Sequence, residues 1–171
     1  METWDAIRAR RNVREYADRD IARADLERIL EAGRRAPSSR NWQPWHFVVV
    51  TSRERLVELA KVWEGASHVA SSNATVALVA AEPDDDLHRE WVQYDFGQAT
   101  ATMMLVAADL GIGSGHAAVR DQRLARQVLG LPDGYECVYL IALGYPAGRR
   151  LEPVRKPDRR PFDEVVRWER W

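Results

Sequence analysis

The chain has 171 residues, of which 46% are hydrophobic and 30% charged, and its formal net charge is -1. That size fits one domain, residues 1–171, with a workable core and little room for further modules. The near-neutral balance argues against a polyanion binder, so no nucleic-acid partner is expected, and a single cysteine, Cys137, excludes an intramolecular disulfide.

The opening Met1-Glu2-Thr3-Trp4-Asp5 lacks the apolar core of a signal peptide. The longest apolar stretches, near Met103–Ala108 and Val138–Leu143, are too short to span a bilayer. The expectation is a cytoplasmic protein with no membrane association. Trp4, Ile7 and the stem of Arg8 recur at helical spacing, predicting a helix over 3–11. Leu26, Ile29, Leu30 and Gly33 make the apolar stripe of a second helix over 23–35, ended by Pro37 and the polar run Ser38-Ser39-Arg40-Asn41.

Trp45–Thr51 reads as a strand because three valines follow Phe47. Ser52 is placed to cap a helix over 53–63, a short helix is predicted over 67–72, and Thr75–Ala81 has the length and apolarity of a buried strand. Leu87–Leu110 reads as one long helix whose second half is apolar nearly all round. Such a helix is buried on every side, in a small chain most simply by a partner subunit, although a central core helix in a monomer gives the same pattern. Gly111–Gly115 reads as a flexible loop. A further helix runs through Leu124–Leu129, Cys137–Leu143 reads as a buried strand, and the Pro- and Arg-rich tail regains periodicity only at Phe162–Trp168. Helices interleaved with three clear strands predict an α+β or α/β domain.

Four segments concentrate functional groups. Arg10-Arg11-Asn12-Val13-Arg14 offers guanidinium forks suited to phosphate and carbonyl oxygens, although on spacing alone a solvated basic face at a helix C-terminus is the better reading. Arg35-Ala36-Pro37-Ser38-Ser39-Arg40-Asn41-Trp42-Gln43-Pro44-Trp45 crowds hydroxyls, amides and guanidinium groups that could bond the edge of a heteroaromatic ring or a sugar chain, or cap their own turn. Leu110-Gly111-Ile112-Gly113-Ser114-Gly115-His116-Ala117-Ala118 lets a ligand approach the backbone, but its spacing and its place after a helix differ from the dinucleotide fingerprint. Arg155-Lys156-Pro157-Asp158-Arg159-Arg160 reads as a phosphate clamp or as a charged extended tail. Cys137, set among strand residues, reads as an inert core thiol, and no Cys or His spacing suggests a metal site.

Together these segments resemble the nitroreductase family of FMN-dependent NAD(P)H oxidoreductases over residues 4–168. That family opens with Arg-Arg-Ser-x-Arg-x-aromatic, here Arg10-Arg11-Asn12-Val13-Arg14-Glu15-Tyr16. It continues with Ala-Pro-Ser-x-x-Asn-x-Gln-Pro-Trp, here Ala36 to Trp45. A Leu-Gly-(Leu/Ile)-Gly loop after a long helix and a Gly-Tyr-Pro strand end follow, here Leu110–Gly113 and Gly144-Tyr145-Pro146. Each motif alone is modest; four in this order are specific.

The resemblance implies an α+β fold with a mixed, antiparallel-rich sheet flanked by helices and the long helix at a homodimer interface. It implies that Arg10, Arg11 and Asn12 hold the phosphate and ribityl oxygens of FMN, with Arg14 near N1 and the C2 carbonyl. Arg35, Pro37, Ser38, Ser39 and Asn41 match positions that reach FMN from the second subunit. His116, Ala117 and Ala118 match the segment that passes N5, and Arg159 or Arg160, with Arg160 favoured, matches a tail cation on the phosphate. Trp168 and Trp171 would anchor the tail on the partner.

Asn12 stands in place of the usual serine and can still bond an oxygen. His116 stands where tryptophan is common and is expected to pack against or contact the flavin rather than act as an acid. The chain lacks the insertions that cover the flavin in longer members, which implies an open site. The implied reaction passes a hydride from NADH or NADPH to a nitroaromatic, quinone or similar acceptor by a ping-pong route, with no catalytic side chain assigned. Alternatives are an FMN storage or sensor protein, a family branch with other flavin chemistry, and a helical interaction module without flavin.

Overall fold

The structure is a computed structural model that describes residues 1–171. The helices are α1 (Thr3–Ala9), α2 (Arg23–Arg34), α3 (Arg53–Leu59), α4 (Asp86–Asp109), α5 (Gln122–Leu129) and α6 (Phe162–Val165). The strands are β1 (His46–Val50), β2 (Ala74–Ala81), β3 (Gly113–Ala118) and β4 (Tyr135–Gly144). All four strands pair antiparallel in the order β1-β2-β4-β3. An isolated parallel bridge joins Asn12 to Ser114 at the outer edge of β3.

Side-chain alternation along β2 and β4 builds two cores, one on each face of the sheet. Val76, Leu78, Ile141 and Leu143 point to one face, where α4 supplies Phe96, Ala99 and Met103 and α2 supplies Leu26 and Ile29. Ala77, Val79, Leu140 and Ala142 point to the other, against Leu56, Leu59 and Val69 from α3 and the 3-10 turns that follow it. The close approach of α2 to α4 depends on Gly33, where a Cβ would meet Met103 Sδ at 2.8 Å.

Local chemistry sets the ends of the elements. Asp85 caps α4 by accepting from the His88 N–H at 2.7 Å, and Asp121 caps α5 by accepting from the Leu124 N–H at 2.8 Å. Gly130, at φ 66°, ends α5 in the left-handed region. The predicted 53–63 helix stops at Leu59 and continues as 3-10 turns over Ala60–Val62 and Glu64–Ser71.

One expectation is corrected. Gly111–Gly115 is not a loop throughout: only the turn at Gly111 and Ile112 is irregular, and Gly113 opens β3. A Gly-Ser-Gly-His-Ala-Ala strand lacks the β-branched residues that mark strands, and pairing with β4 overrides its low propensity. The second half of α4 is not covered on every side within one chain, which goes against the alternative of a central core helix in a monomer. Ala99, Met103, Ala107 and Ala108 are buried, but Gly97 and Ala101 are exposed. No helix is long and apolar enough to cross a membrane.

Candidate functional site

The residues after α1 run along the outer edge of β3. The Val13 N–H donates to the Ser114 carbonyl at 2.9 Å. This approach is very close: a Cβ on Gly113 would lie 2.6 Å from Val13 Cγ2, and one on Gly115 would lie 2.5 Å from the Val13 carbonyl oxygen. The glycines predicted to let a ligand near the backbone therefore first admit the arginine segment. Backbone groups of alternate strand residues point the same way. Because the Ser114 carbonyl faces outward to Val13, the backbone N–H and C=O of His116 also face outward, beyond the last strand of the sheet.

His116 and Tyr139 share the α4 face of the sheet and enter a cleft of about 530 Å³. Arg10 and Ile7 form one wall of this cleft, and Gly97, Ala101, Met104 and Leu105 of α4 form another. Ala118 pairs with Tyr139 beside this cleft, whereas Ala117 is buried in the opposite core.

Arg10 and Ile7 also line a second, basic cleft of about 420 Å³ with Arg8, Arg11, Pro157 and Arg159. Shared walls make the two clefts neighbours, apolar at one end and basic at the other. The tail is held here by the Val154 N–H, which donates to the Arg8 carbonyl at 3.1 Å. Arg11 Nη2 donates to the carbonyls of Arg149 and Arg150, while Arg11 Nη1 is buried without a partner. A buried guanidinium nitrogen with no acceptor suits an incoming anion. Of the two tail cations, Arg159 lines this cleft and Arg160 instead pairs with Glu164 at 3.3 Å. Asn12 and Arg14 are exposed on either side of buried Val13.

The Arg35–Asn41 segment lies elsewhere. Ser39 donates its N–H to both carboxylate oxygens of buried Asp95, at 3.0 and 2.9 Å, and its hydroxyl to Oδ1 at 3.2 Å. Ser38 Oγ accepts from the Gln43 N–H at 3.0 Å, so part of the segment does cap its own turn. Arg35 turns back to Glu31 at 2.6 Å, and its hydrogen bond with that of Arg34 pulls the Glu31 carboxyl down to about 2. Pro37 and Asn41 stay exposed. Asp95 and Gly97 are two positions apart on α4, about 200° around the helix axis. One chain thus carries the loop and the Arg10–His116 cleft on opposite sides of α4.

Three residues escaped the sequence reading. Asp95 carries the loop, Tyr139 walls the cleft, and His68 packs beneath Gly115 with Nε2 3.3 Å from its carbonyl. Burial pushes the His68 pKa down, with Arg14 and His116 adding repulsion, so the ring is neutral at pH 7. Tyr139 had a signal, an aromatic in a period-2 strand; the other two had none. Burial also pushes the Tyr16 phenol up, where its hydroxyl donates to the Val13 carbonyl at 2.7 Å and braces the arginine segment. Cys137 is buried and its thiol is pushed up to about 12, as expected of an inert group.

The same fold occurs in an FMN-dependent nitroreductase of Clostridium difficile, with a TM-score of 0.84 over 97% of this chain and 98% of that one at 23% identity. The architecture is therefore the nitroreductase fold. In sequence, the Nitroreductase family pattern matches residues 7–81 and 60–145. A provisionally named NADH dehydrogenase/NAD(P)H nitroreductase of Archaeoglobus fulgidus is 36% identical, covering 99% of both chains. An NADH dehydrogenase of Thermus thermophilus is 30% identical, covering 98% of this chain and 96% of its own. The chain belongs to the nitroreductase family of oxidoreductases.

Proposed function

We propose that the protein is an FMN-dependent NAD(P)H oxidoreductase that reduces nitroaromatic, quinone or similar flat acceptors. The observation that carries this reading is the position of Arg10, in the shared wall of an apolar cleft and a basic one. FMN has the same polarity, a flat ring joined through a ribityl chain to a phosphate. Arg10, Arg11 and Arg159 would hold the phosphate, Asn12 the ribityl oxygens, and Arg14 would set positive charge beside the pyrimidine end of the ring. The outward backbone of His116 offers a donor along the ring edge, and Ala118 leaves room beside it.

When bound, FMN supplies two-electron chemistry, taking a hydride from the nicotinamide and passing the electrons on. For a nitroaromatic the balance is ArNO2 + NAD(P)H + H+ giving ArNO + NAD(P)+ + H2O. The chain's own part is to orient flat ligands against one open face and to stabilise charge. One face serving donor and acceptor in turn accounts for a ping-pong route.

The Pro37–Asn41 loop, facing away from its own cleft, is proposed to complete the cleft of a second copy. The exposed Gly97–Ala101 face of α4 and the exposed rings of Trp168 and Trp171 are the surfaces that a homodimer would cover.

The test is the visible spectrum of purified protein, followed anaerobically on adding NADH or NADPH. Bound flavin that bleaches within seconds and recovers with a nitroaromatic supports an oxidoreductase and identifies its donor. Flavin that stays oxidised would favour storage, sensing or another flavin chemistry. Protein that takes up no FMN on reconstitution would sink the reading.

A further inference from the structure

Between the 39–43 turn and α4 lies a group of side chains that the flavin reading does not use. Arg40 places its guanidinium over the Trp91 ring, 5.2 Å from the centroid. The His88 ring meets Trp91 edge-on at 5.4 Å and Trp42 edge-on at 5.7 Å. Trp42 is 45% exposed. The result is a small aromatic wall with a cation at one side.

The cation is open. Glu31 takes both Arg34 and Arg35, whereas Arg40 takes part in none of the chain's ion pairs. The two carboxylates bonded to this turn and to His88 are occupied. Asp95 is buried beneath Ser39, and Asp85 caps α4 and faces His88 Nδ1 at 2.9 Å.

The guanidinium is also held in place from below. Arg40, Asn41 and Gln43 adopt φ of 52°, 58° and 54°, a left-handed backbone that costs non-glycine residues energy. Ser39 bonded to Asp95 and Gln43 bonded to Ser38 fix both ends of the turn that imposes it. A strained, anchored turn that presents an unpaired cation beside exposed indole is organised for a ligand rather than for its own packing.

We infer that Arg40, Trp42 and Trp91 form a specificity subsite for the carboxylate of a flat aromatic acceptor. The Arg40 fork matches the two oxygens of a carboxylate, and stacking on Trp91 limits its swing. The acceptor ring gains contact with Trp42. A neutral acceptor of the same shape gains only the ring contact, so the charge carries the selection. This rests on the reading above, in which Ser38, Ser39 and Asn41 border the flavin, because Arg40 then lies between two flavin-contacting positions.

The test uses FMN-loaded protein and two acceptors of equal shape, 4-nitrobenzoate and 4-nitrobenzamide. In Arg40→Gln, and in Arg40→Asn, which tolerates the left-handed backbone better, the ratio of kcat/KM for the acid to that for the amide should fall about tenfold. Arg40→Lys should restore part of it. Benzoate, which is not reduced, should perturb the flavin or tryptophan spectrum of the parent protein, and its Kd should rise about as much in the same variants.

An unchanged ratio, or equal losses on both acceptors, would make Arg40 a structural residue and overturn the inference. A raised KM for NADPH with an unchanged acceptor ratio would assign the cation to the donor's phosphates and overturn it too. Parent protein without reducible flavin would instead remove the reading on which the inference stands.

Discussion

The Asp95 carboxylate sits inside α4 with no solvent exposure, and both its oxygens accept the backbone N–H of Ser39. One acid in the central helix thus fixes the turn expected to border a flavin. Asp95→Asn presents an amide nitrogen, itself a donor, to one of these contacts. Removing the charge should lower stability by about 2 kcal/mol, as for a lost charge-assisted hydrogen bond at a buried site. Urea unfolding should show a lower midpoint with an unchanged slope. The same variant should lose FMN on gel filtration, and retention of full FMN affinity would separate the turn from the flavin site.

Gly115 predicts a sharper steric effect. A Cβ there would stand 2.5 Å from the Val13 carbonyl and 3.1 Å from the His68 ring. A backbone atom cannot yield as a flexible side chain does. Gly115→Ala should therefore destabilise by about 1–3 kcal/mol, the usual range for overpacking. Gly148→Ala is the control, since nothing lies within 4 Å of its Cβ position. Equal melting temperatures for the two variants would contradict the close approach of the arginine segment to β3.

These residues show what was legible in the sequence. The family motifs pointed to Arg10, Pro37–Asn41 and His116 because each is a run of unusual composition. Amphipathic spacing gave α2, whose buried Leu26, Ile29 and Gly33 recur every three or four residues, and a long stretch apolar nearly all round in its second half gave α4. β3 was hidden because Gly113, Ser114 and Gly115 carry no strand signal of their own; their strand state comes from pairing with β4. Asp95 and His68 were hidden for another reason: each stands among other polar residues of its element, nothing in the local sequence marks it as the buried one, and the partners are 56 and 47 positions away.

His68 makes stability depend on pH. Its folded pKa lies below 6.5, chiefly because burial disfavours the imidazolium. In the unfolded chain the ring protonates near its ordinary value. Above about pH 6.5 both states are neutral at this residue and no stability is lost. As pH falls below that value the unfolded chain binds a proton that the folded chain resists, so stability declines down to the folded pKa. Melting temperatures from pH 7.5 to 5.5 should fall more steeply in the parent than in His68→Gln, and parallel curves would rule this contribution out.

Arg159 and Arg160 are adjacent, yet only Arg159 lines the basic cleft; Arg160 is committed to Glu164 at 3.3 Å. Arg159→Ala should raise the Kd for FMN about tenfold, as expected for one charge-assisted phosphate contact, while Arg160→Ala should change it by less than about twofold. Fluorescence titration of apoprotein with FMN gives both values directly. Riboflavin, which lacks the phosphate, should bind the parent and Arg159→Ala alike. If Arg160→Ala carried the larger loss, the tail would have to turn by one residue when the phosphate binds, breaking the pair with Glu164. Arg11→Ala adds a distinct outcome, because its Nη2 also holds the carbonyls of Arg149 and Arg150. That variant should weaken FMN and also speed proteolysis within residues 147–161, a second effect that Arg159→Ala should not share.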